Sequence, residues 1–375
     1  MKMLMLAQPN SSWTINIIQY YLIPRGVEVY LYPFWTVDEY FQKVYEENHV
    51  VVLDRIEKGK ENRRFSWIML LRKYIREYGI DIINIQYVQY EHLLPVFLFK
   101  RKNQKLILSY WGSDLLRKDD RYLRKLYPLF TKVDSFTHES KNLMECFERL
   151  YGKKYEDKVH FCPFGIPILS EIKKSESVLT KEKLRSKYGI EEGKVVIAIG
   201  YNARLQQQHL KVIEQIETLS IEDRDKICIM LQVNYNIDSE EYVKEVIAEA
   251  KKSQCQVVAI HDFMNFAQMA EIRRITDVFV NSQTTDAFAG SVCEVMYAGG
   301  TLVHGEWLNY KEFEELDVDY VPYHEFDELP EIFSRIIRKE YSIDYEKNRE
   351  VMAKLRSWDY CGLDWDRWLL GINDE

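Results

Sequence analysis

Nowhere in the 375 residues is there a run of about 18 uncharged apolar residues, so no membrane-spanning helix is expected. The opening MKMLMLAQPNSS lacks the long apolar core and small-residue cleavage site of a secretory signal. It reads instead as a first buried strand. The six cysteines (Cys146, Cys162, Cys228, Cys255, Cys293 and Cys361) form no C-x-x-C pair and no metal-ligand spacing. They are expected as reduced cytosolic thiols that fill core space. No short internal repeat occurs. A basic aromatic sheet motif is also missing, and with a net charge of −8 this argues against nucleic acid as a partner.

What is present is a folded α/β pattern. Hydrophobic content of 46% and aromatic content of 14% place the chain among globular proteins, and its length calls for two domains rather than one core. Charge is split between the halves: residues 1–165 carry +6 and the remainder −14. A basic first half hints at an anionic partner there. Short apolar runs alternate with helical patterns throughout, the mark of parallel βαβ units. The strands are expected near KMLML, VEVYL, VVVL, DIINIQ, KLILSY, DSFTH and VHFCP, then KVVIAIG, KICIMLQV, QVVAI, DVFVN, TLVHG and VDYVPY. A proline-bearing polar stretch, residues 166–183, reads as a linker. The expectation is an α/β protein of two Rossmann-like, doubly wound domains facing across a cleft, over residues 1–165 and 184–344. The helices of about 345–375 are expected to pack back on the first domain.

In such sheets ligands bind at the carboxyl ends of strands, so the loops after strands are informative. Residues 284–300, TTDAFAGSVCEVMYAGG, interrupt an apolar pattern with a small-residue turn. A helix is expected from Gly290 or Ser291 to Ala298, stopped by Gly299 and Gly300. Ser291 and Glu294 have capping-box spacing, which gives Glu294 a structural reading. The alternative is an anion site at the helix start, with a carboxylate one turn on that could accept bonds from a diol. In IGYNARLQQQHL, Asn202, Ala203 and Arg204 occupy a strand-to-helix turn, where an arginine either stays solvated or forks onto phosphate. In WGSD, Asp114 either caps a helix or orients a hydroxyl acceptor. His138 and Glu139 pose the same choice. The D-x-D patterns at 317–319 and 364–366 are discounted as metal sites in so acidic a half.

Taken together, the G-x-x-x-R turn, two further βα units, and then an acid, F-x-G and a glutamate eight positions after that acid resemble the retaining family-4 glycosyltransferases of the GT-B fold. The likeness is strongest over residues 195–305. It implies that Asp286 and Glu294 are the family's paired acids, Asp286 facing the donor sugar and Glu294 the ribose. The amides of Phe288, Ala289, Gly290 and Ser291 would border the diphosphate with Arg204. Asn202 and His209 would also line the donor site, although His209 stands where the family usually has lysine. Trp111 replaces a histidine that many members direct at the donor sugar. Gly112, Ser113, Asp114 and His138 fall on the acceptor side. The implied catalytic set is Asp286, Arg204 and Asp114.

The resemblance implies transfer of a sugar from a nucleotide diphosphate sugar to a hydroxyl of a glycan or lipid-linked acceptor, with retention, in surface polysaccharide or glycan synthesis. No cofactor and no metal are expected. Two alternatives stay open: an inverting GT-B transferase with Asp114 as base (His138 or His92 behind it), and a non-catalytic GT-B subunit that binds a partner enzyme or glycan. An epimerase acting on the donor alone shares the architecture. Residues 55–76 hold eight basic residues against two acidic ones. With Lys58, Lys60, Arg63 and Arg64 they suggest peripheral contact with anionic lipid on the cytoplasmic face.

Overall fold

The computed structural model describes residues 1–55 and 66–372. Two compact units emerge, one formed by residues 1–165 with the segment from Arg356 onward, the other by Ile166–Leu355.

The first unit is a seven-stranded parallel sheet. In chain order its strands are β1 (Lys2–Ala7), β2 (Glu28–Pro33), β3 (Val51–Val52), β4 (Ile82–Gln86), β5 (Lys105–Tyr110), β6 (Ser135–His138) and β7 (Val159–Phe161). Their spatial order is β3-β2-β1-β4-β5-β6-β7. The six-stranded sheet of the second unit runs through β8 (Val195–Ile199), β9 (Ile227–Gln232), β10 (Gln256–Ile260), β11 (Val278–Asn281), β12 (Thr301–Gly305) and β13 (Val321–Tyr323). Its order, β10-β9-β8-β11-β12-β13, repeats the same winding. The near-continuous apolar runs of β1, β5, β9 and β12 are those of strands covered on both faces, as parallel sheets require. The order reverses between β1 and β4 in one unit and between β8 and β11 in the other, which creates a crevice at each carboxyl edge.

Within the first sheet a polar thread crosses the strands. Asn84 donates to Ser109 Oγ (3.0 Å), Thr137 Oγ1 bonds the same hydroxyl (2.7 Å), and Gln86 donates to Asn84 (2.6 Å). Trp111 ends the thread by donating its indole N–H to Gln86 Oε1 at 2.6 Å. Each buried polar side chain therefore finds a partner, as burial demands.

Residues 166–183, read from the sequence as a linker, instead carry the helix Ile168–Glu176 and the start of Lys181–Lys187. Ile168, Leu169 and Ile172 are buried, and Arg274 donates to Ser175 O and Leu179 O. Apolar spacing within a polar composition makes this an amphipathic helix of the second unit. The C-terminal helices divide. Tyr345–Arg356 is held to the second unit by a two-pronged bond from Arg349 to Glu176 at 2.7 and 2.8 Å. Trp358–Trp365 packs on the first, with Trp365 donating to Pro163 O (2.7 Å) and Trp358 to Asn16 Oδ1 (2.9 Å). A Cβ on Gly165 would lie 2.3 Å from the Trp358 ring, so only glycine permits this approach.

Candidate functional site

At the carboxyl edge of the second sheet, the loop after β8 and the loop after β11 are stitched together. Thr284 N–H donates to Gln206 O (3.0 Å), Ser282 Oγ to Gln207 O (2.7 Å) and Gln208 Nε2 to Ser282 O (2.6 Å). On its other side the loop after β8 is tied to the segment after β9 through Leu205 N–H and Asp238 (2.8 Å). Gly200 has φ +63°, and a Cβ there would meet Gln207 Oε1 at 2.6 Å. The turn therefore depends on that glycine. The helix that follows this turn starts only at His209, after a single 3₁₀ turn over Leu205–Gln207.

Arg204 sits at the head of that turn, its backbone N–H bonded to Asn202 Oδ1 at 3.1 Å. Its guanidinium Nε is buried without a hydrogen-bond partner. Ser291 Oγ, in the first turn of the helix that follows the loop after β11, is likewise buried and unpartnered. The helix there spans Gly290–Tyr297 and opens from Ala289 with no side-chain cap. Gly290 and Ser291 are its first two residues, whose amides precede any carbonyl of the helix that could receive them. An unfilled donor set of this kind, with the positive end of a helix beside it, suits an anion.

The capping-box reading of Ser291 and Glu294 is therefore corrected. Ser291 lies inside the helix, two residues past the Ala289 cap position, and Glu294 turns to Arg273 instead. Arg273 Nε donates to Glu294 Oε2 at 2.7 Å, both side chains are at most 5% exposed, and a second guanidinium N–H reaches Gln232 at the end of β9. Nothing local in the sequence signals this pair. Arg273 and Arg274 look like ordinary dipole-complementing residues of a helix's last turn, yet both are buried.

Asp286 is half-buried and organises its own loop. Its carboxylate accepts from Ala287 N–H and Ala289 N–H, each at 2.9 Å, and from the Tyr310 hydroxyl. Tyr310 in turn accepts from Asn281 Nδ2 at 3.0 Å. Ala289's amide is thus committed within the loop and is not available to an anion. Phe288 holds φ 149°, a conformation disfavoured for any side chain, with its ring seated against Tyr310 (4.8 Å) and Phe313 (5.5 Å). Strain of this kind persists only where surrounding contacts over-determine it, and it clusters at functional loops. Tyr310 and Asn281 were not singled out from the sequence; they lie outside the 284–300 segment and carry no motif.

His209 is fully buried and bonded through Nδ1 to Tyr242 OH at 3.0 Å, with Nε2 unpartnered. Burial pushes its pKa down to about 4, so a neutral imidazole occupies the position where a lysine charge was the family's pattern. Lys211 does not substitute for it, lying over the Phe326 ring at 5.0 Å.

The acceptor-side set is arranged differently. Asp114 is fully buried and accepts from Val88 N–H (2.8 Å), Trp111 N–H (2.9 Å) and Gly112 N–H (3.0 Å). It neither caps the short helix Ser113–Leu116 nor faces solvent; it brackets the loops after β4 and β5. Burial pushes its carboxyl up to about 7 against the lowering effect of those amides. Gly112 has φ 111°, and Ser113 Oγ donates to Tyr87 OH at 3.3 Å. His138 is sealed between Tyr110 (5.1 Å, stacked) and Phe147 (5.2 Å), with both ring nitrogens unpartnered and burial lowering its pKa to about 3. The D-x-D aspartates hold structure: Asp317 and Asp319 pair with Lys347, and Asp366 with Arg25 and Tyr21. Among the described residues no group of three or more His, Cys, Asp or Glu side chains is placed to hold a metal.

No family model and no curated protein matches the sequence. Solved structures do match along the whole chain. Anabaena HepE, crystallised with UDP and glucose, superposes with a TM-score of 0.76 at 15% identity, covering 99% of this chain and 100% of that one. A glycosyltransferase from Rickettsia africae gives 0.76 at 12% identity over 96% and 95%. The lipopolysaccharide outer core galactosyltransferase WaaB gives 0.68 at 10% identity over 99% of both chains. The fold is GT-B. Its two Rossmann-like units are the two described above, and the stitched loops of the second lie at the switch point of that unit's sheet.

Proposed function

We propose that this GT-B protein is a glycosyltransferase that moves a sugar from a nucleotide diphosphate sugar to a hydroxyl acceptor. The observation that carries this reading is the pair of buried donors without partners, Arg204 Nε in the loop after β8 and Ser291 Oγ in the helix start that the loop after β11 leads into, these two loops being bonded to each other at the switch point of the second sheet. A diphosphate supplies the missing acceptors. The difficult step is breakage of the bond between the anomeric carbon and the diphosphate oxygen, and fixed donors stabilise the charge that grows on that oxygen. Charge-assisted bonds of this type are worth roughly 1.5–3 kcal/mol each. Asp286, held by Ala287, Ala289 and Tyr310, orients sugar hydroxyls, and Glu294, fixed by Arg273, holds the ribose. HepE was crystallised with UDP-glucose, which makes uridine donors the first to test.

The transfer proceeds with retention: the acceptor oxygen bonds to the anomeric carbon on the face the diphosphate leaves, and its proton passes to the departing phosphate. Support comes from Asp114, whose two oxygens are filled by three amides and which is poorly placed to serve as an inverting base. A donor panel screened by thermal shift, then by release of nucleoside diphosphate and by the anomer of the product, tests the reading. A β-configured product from an α-configured donor overturns retention, and absence of stabilisation by any nucleotide sugar overturns the function.

The acceptor is a glycan or lipid-linked glycan, and the first unit rests on anionic membrane. Lys58, Lys60, Arg63 and Arg64 lie outside the described residues. Beyond them the helix Ser66–Glu77 presents Arg72, Lys73 and Arg76 together with exposed Met69 on one side. No described helix is long and apolar enough to cross a membrane. Vesicle co-sedimentation that requires anionic lipid and weakens with salt supports this placement; equal binding to neutral vesicles overturns it.

A further inference from the structure

The first unit has its own convergence of unfilled donors, away from Asp114. Tyr32 lies near the end of β2, Arg55 three residues beyond β3, and His92 in the first turn of the helix Tyr90–Phe99 that follows β4. The ends of three successive strands and the segments that follow them thus bring these residues to one edge of the sheet, the carboxyl edge, where ligands of doubly wound units bind. Tyr32 is 1% exposed, with Arg55 as the polar neighbour of its oxygen and no acceptor for its phenol proton; Arg55 Nε and His92 Nδ1 are also buried and unpartnered. The Phe34 ring stacks on His92 at 3.9 Å and 11°, fixing the imidazole plane, and Trp67 closes its other side at 6.4 Å. Among the described residues no carboxylate is paired with Arg55. A buried donor left empty costs about 1–3 kcal/mol, so three together point to an absent acceptor group.

We infer that Tyr32, Arg55 and His92 form an oxyanion site for a phosphate group carried by the acceptor. This deepens the glycosyltransferase reading, on which the word acceptor rests, although the anion site itself stands on the first unit alone. Donors from a strand end, a loop and a helix start suit a tetrahedral group with several terminal oxygens better than a planar carboxylate. The electrostatics agree. Burial pushes the Tyr32 phenol up to about 12, with Arg55 opposing the rise. Burial also pushes His92 down to about 4, with Glu91 raising it and Arg55 lowering it further. The guanidinium therefore acts on both neighbours, as one shared pocket requires.

The test follows the imidazole of His92 by proton NMR on the full chain, its signal assigned by its loss in His92→Asn. Inorganic phosphate is titrated at constant ionic strength, with acetate as the planar control. The His92 signal should move saturably with phosphate and less with acetate. Arg55→Gln should weaken the response by at least about tenfold and Tyr32→Phe by about threefold, while Arg55→Lys recovers part of it. Arg204→Gln, which disables the proposed donor site, should leave the response unchanged, so failure of one site is distinguishable from failure of the other. A sugar phosphate and a short-chain prenyl phosphate are then compared; whichever binds more tightly than inorganic phosphate identifies a soluble or a lipid-linked acceptor. The inference is overturned if phosphate does not move His92, if acetate matches it, or if folded Arg55→Gln responds like the parent protein.

Discussion

In both units the sheet order reverses between the first and fourth strands, yet the loops near the two reversals are finished differently. In the second unit Arg204 Nε and Ser291 Oγ remain without partners, and Asp286 is only half-buried. In the first, the aspartate that the sequence offered as its counterpart, Asp114, is sealed by three amides, and His138 is shut between aromatic rings. The same winding therefore yields a crevice twice, but saturation of its polar groups decides what each residue can do. A carboxylate shut away from solvent, with its oxygens filled, is a bracket; one that stays half-exposed, like Asp286, can still meet a ligand. A donor with no acceptor is an invitation.

The largest effect expected from breaking that contrast is in stability. Asp114→Ala leaves three buried amides without an acceptor, which at roughly 1 kcal/mol or more apiece costs about 3 kcal/mol or more. Denaturant midpoints should fall accordingly while donor affinity stays intact in the folded fraction. Glu294→Ala strands the buried Arg273 charge and should cost about 3 kcal/mol, together with donor affinity. Pairing Glu294→Leu with Arg273→Met should restore stability without restoring affinity, which separates the ion pair from the ligand role.

Arg204→Ala inverts the Asp114 result. Its Nε makes no internal bond, so the thermal midpoint should hold, while donor affinity and turnover drop at least about tenfold, or roughly 1.4 kcal/mol. Tyr310→Phe removes one bond to Asp286, one from Asn281 and a long one from Ala289 N–H; about 1 kcal/mol of stability should go, with a rise in donor KM larger than any fall in kcat. Tyr310 acts through Asp286, so its effect should vanish when Asp286 is already replaced by asparagine.

The smallest effect is in pH dependence, where burial moves a histidine of one unit and a carboxyl of the other in opposite directions. Burial holds His209 at about 4, below its ordinary 6.5. Its contribution is fully present above about pH 6.5 and is lost as pH falls toward 4, because the unfolded chain then binds the proton. Asp114, raised from 3.8 to about 7, works the other way: its contribution is greatest at low pH and declines as pH rises toward 7. His209→Gln should flatten the acid-side loss of thermal stability between about pH 6.5 and 4; an unaltered slope would mean that His209 is not the neutral buried group described.

The thirteen strands of the described residues were all legible in the sequence, because parallel strands covered on both faces must be continuous apolar runs bounded by polar loops. The short β3 and β7 were overextended, since ladder length depends on the neighbour and not on composition. The polar stretch 166–183 misled for a related reason: its amphipathic spacing matters only once Arg274 and its own helix are there to receive it.

For the candidate site, sequence alone brought out the positions where backbone geometry is written locally: the glycine-dependent turn at Gly200, the helix start at Gly290, and the acids at 286 and 294. What those acids touch was decided by tertiary structure. Arg273 lies 21 residues from Glu294, Tyr310 lies 24 from Asp286, and Val88 lies 26 from Asp114. No local pattern encodes such pairings, because they arise only when separate βα units are laid side by side in one sheet. A carboxylate's chemistry depends on which donors reach it first, and that competition is settled by packing.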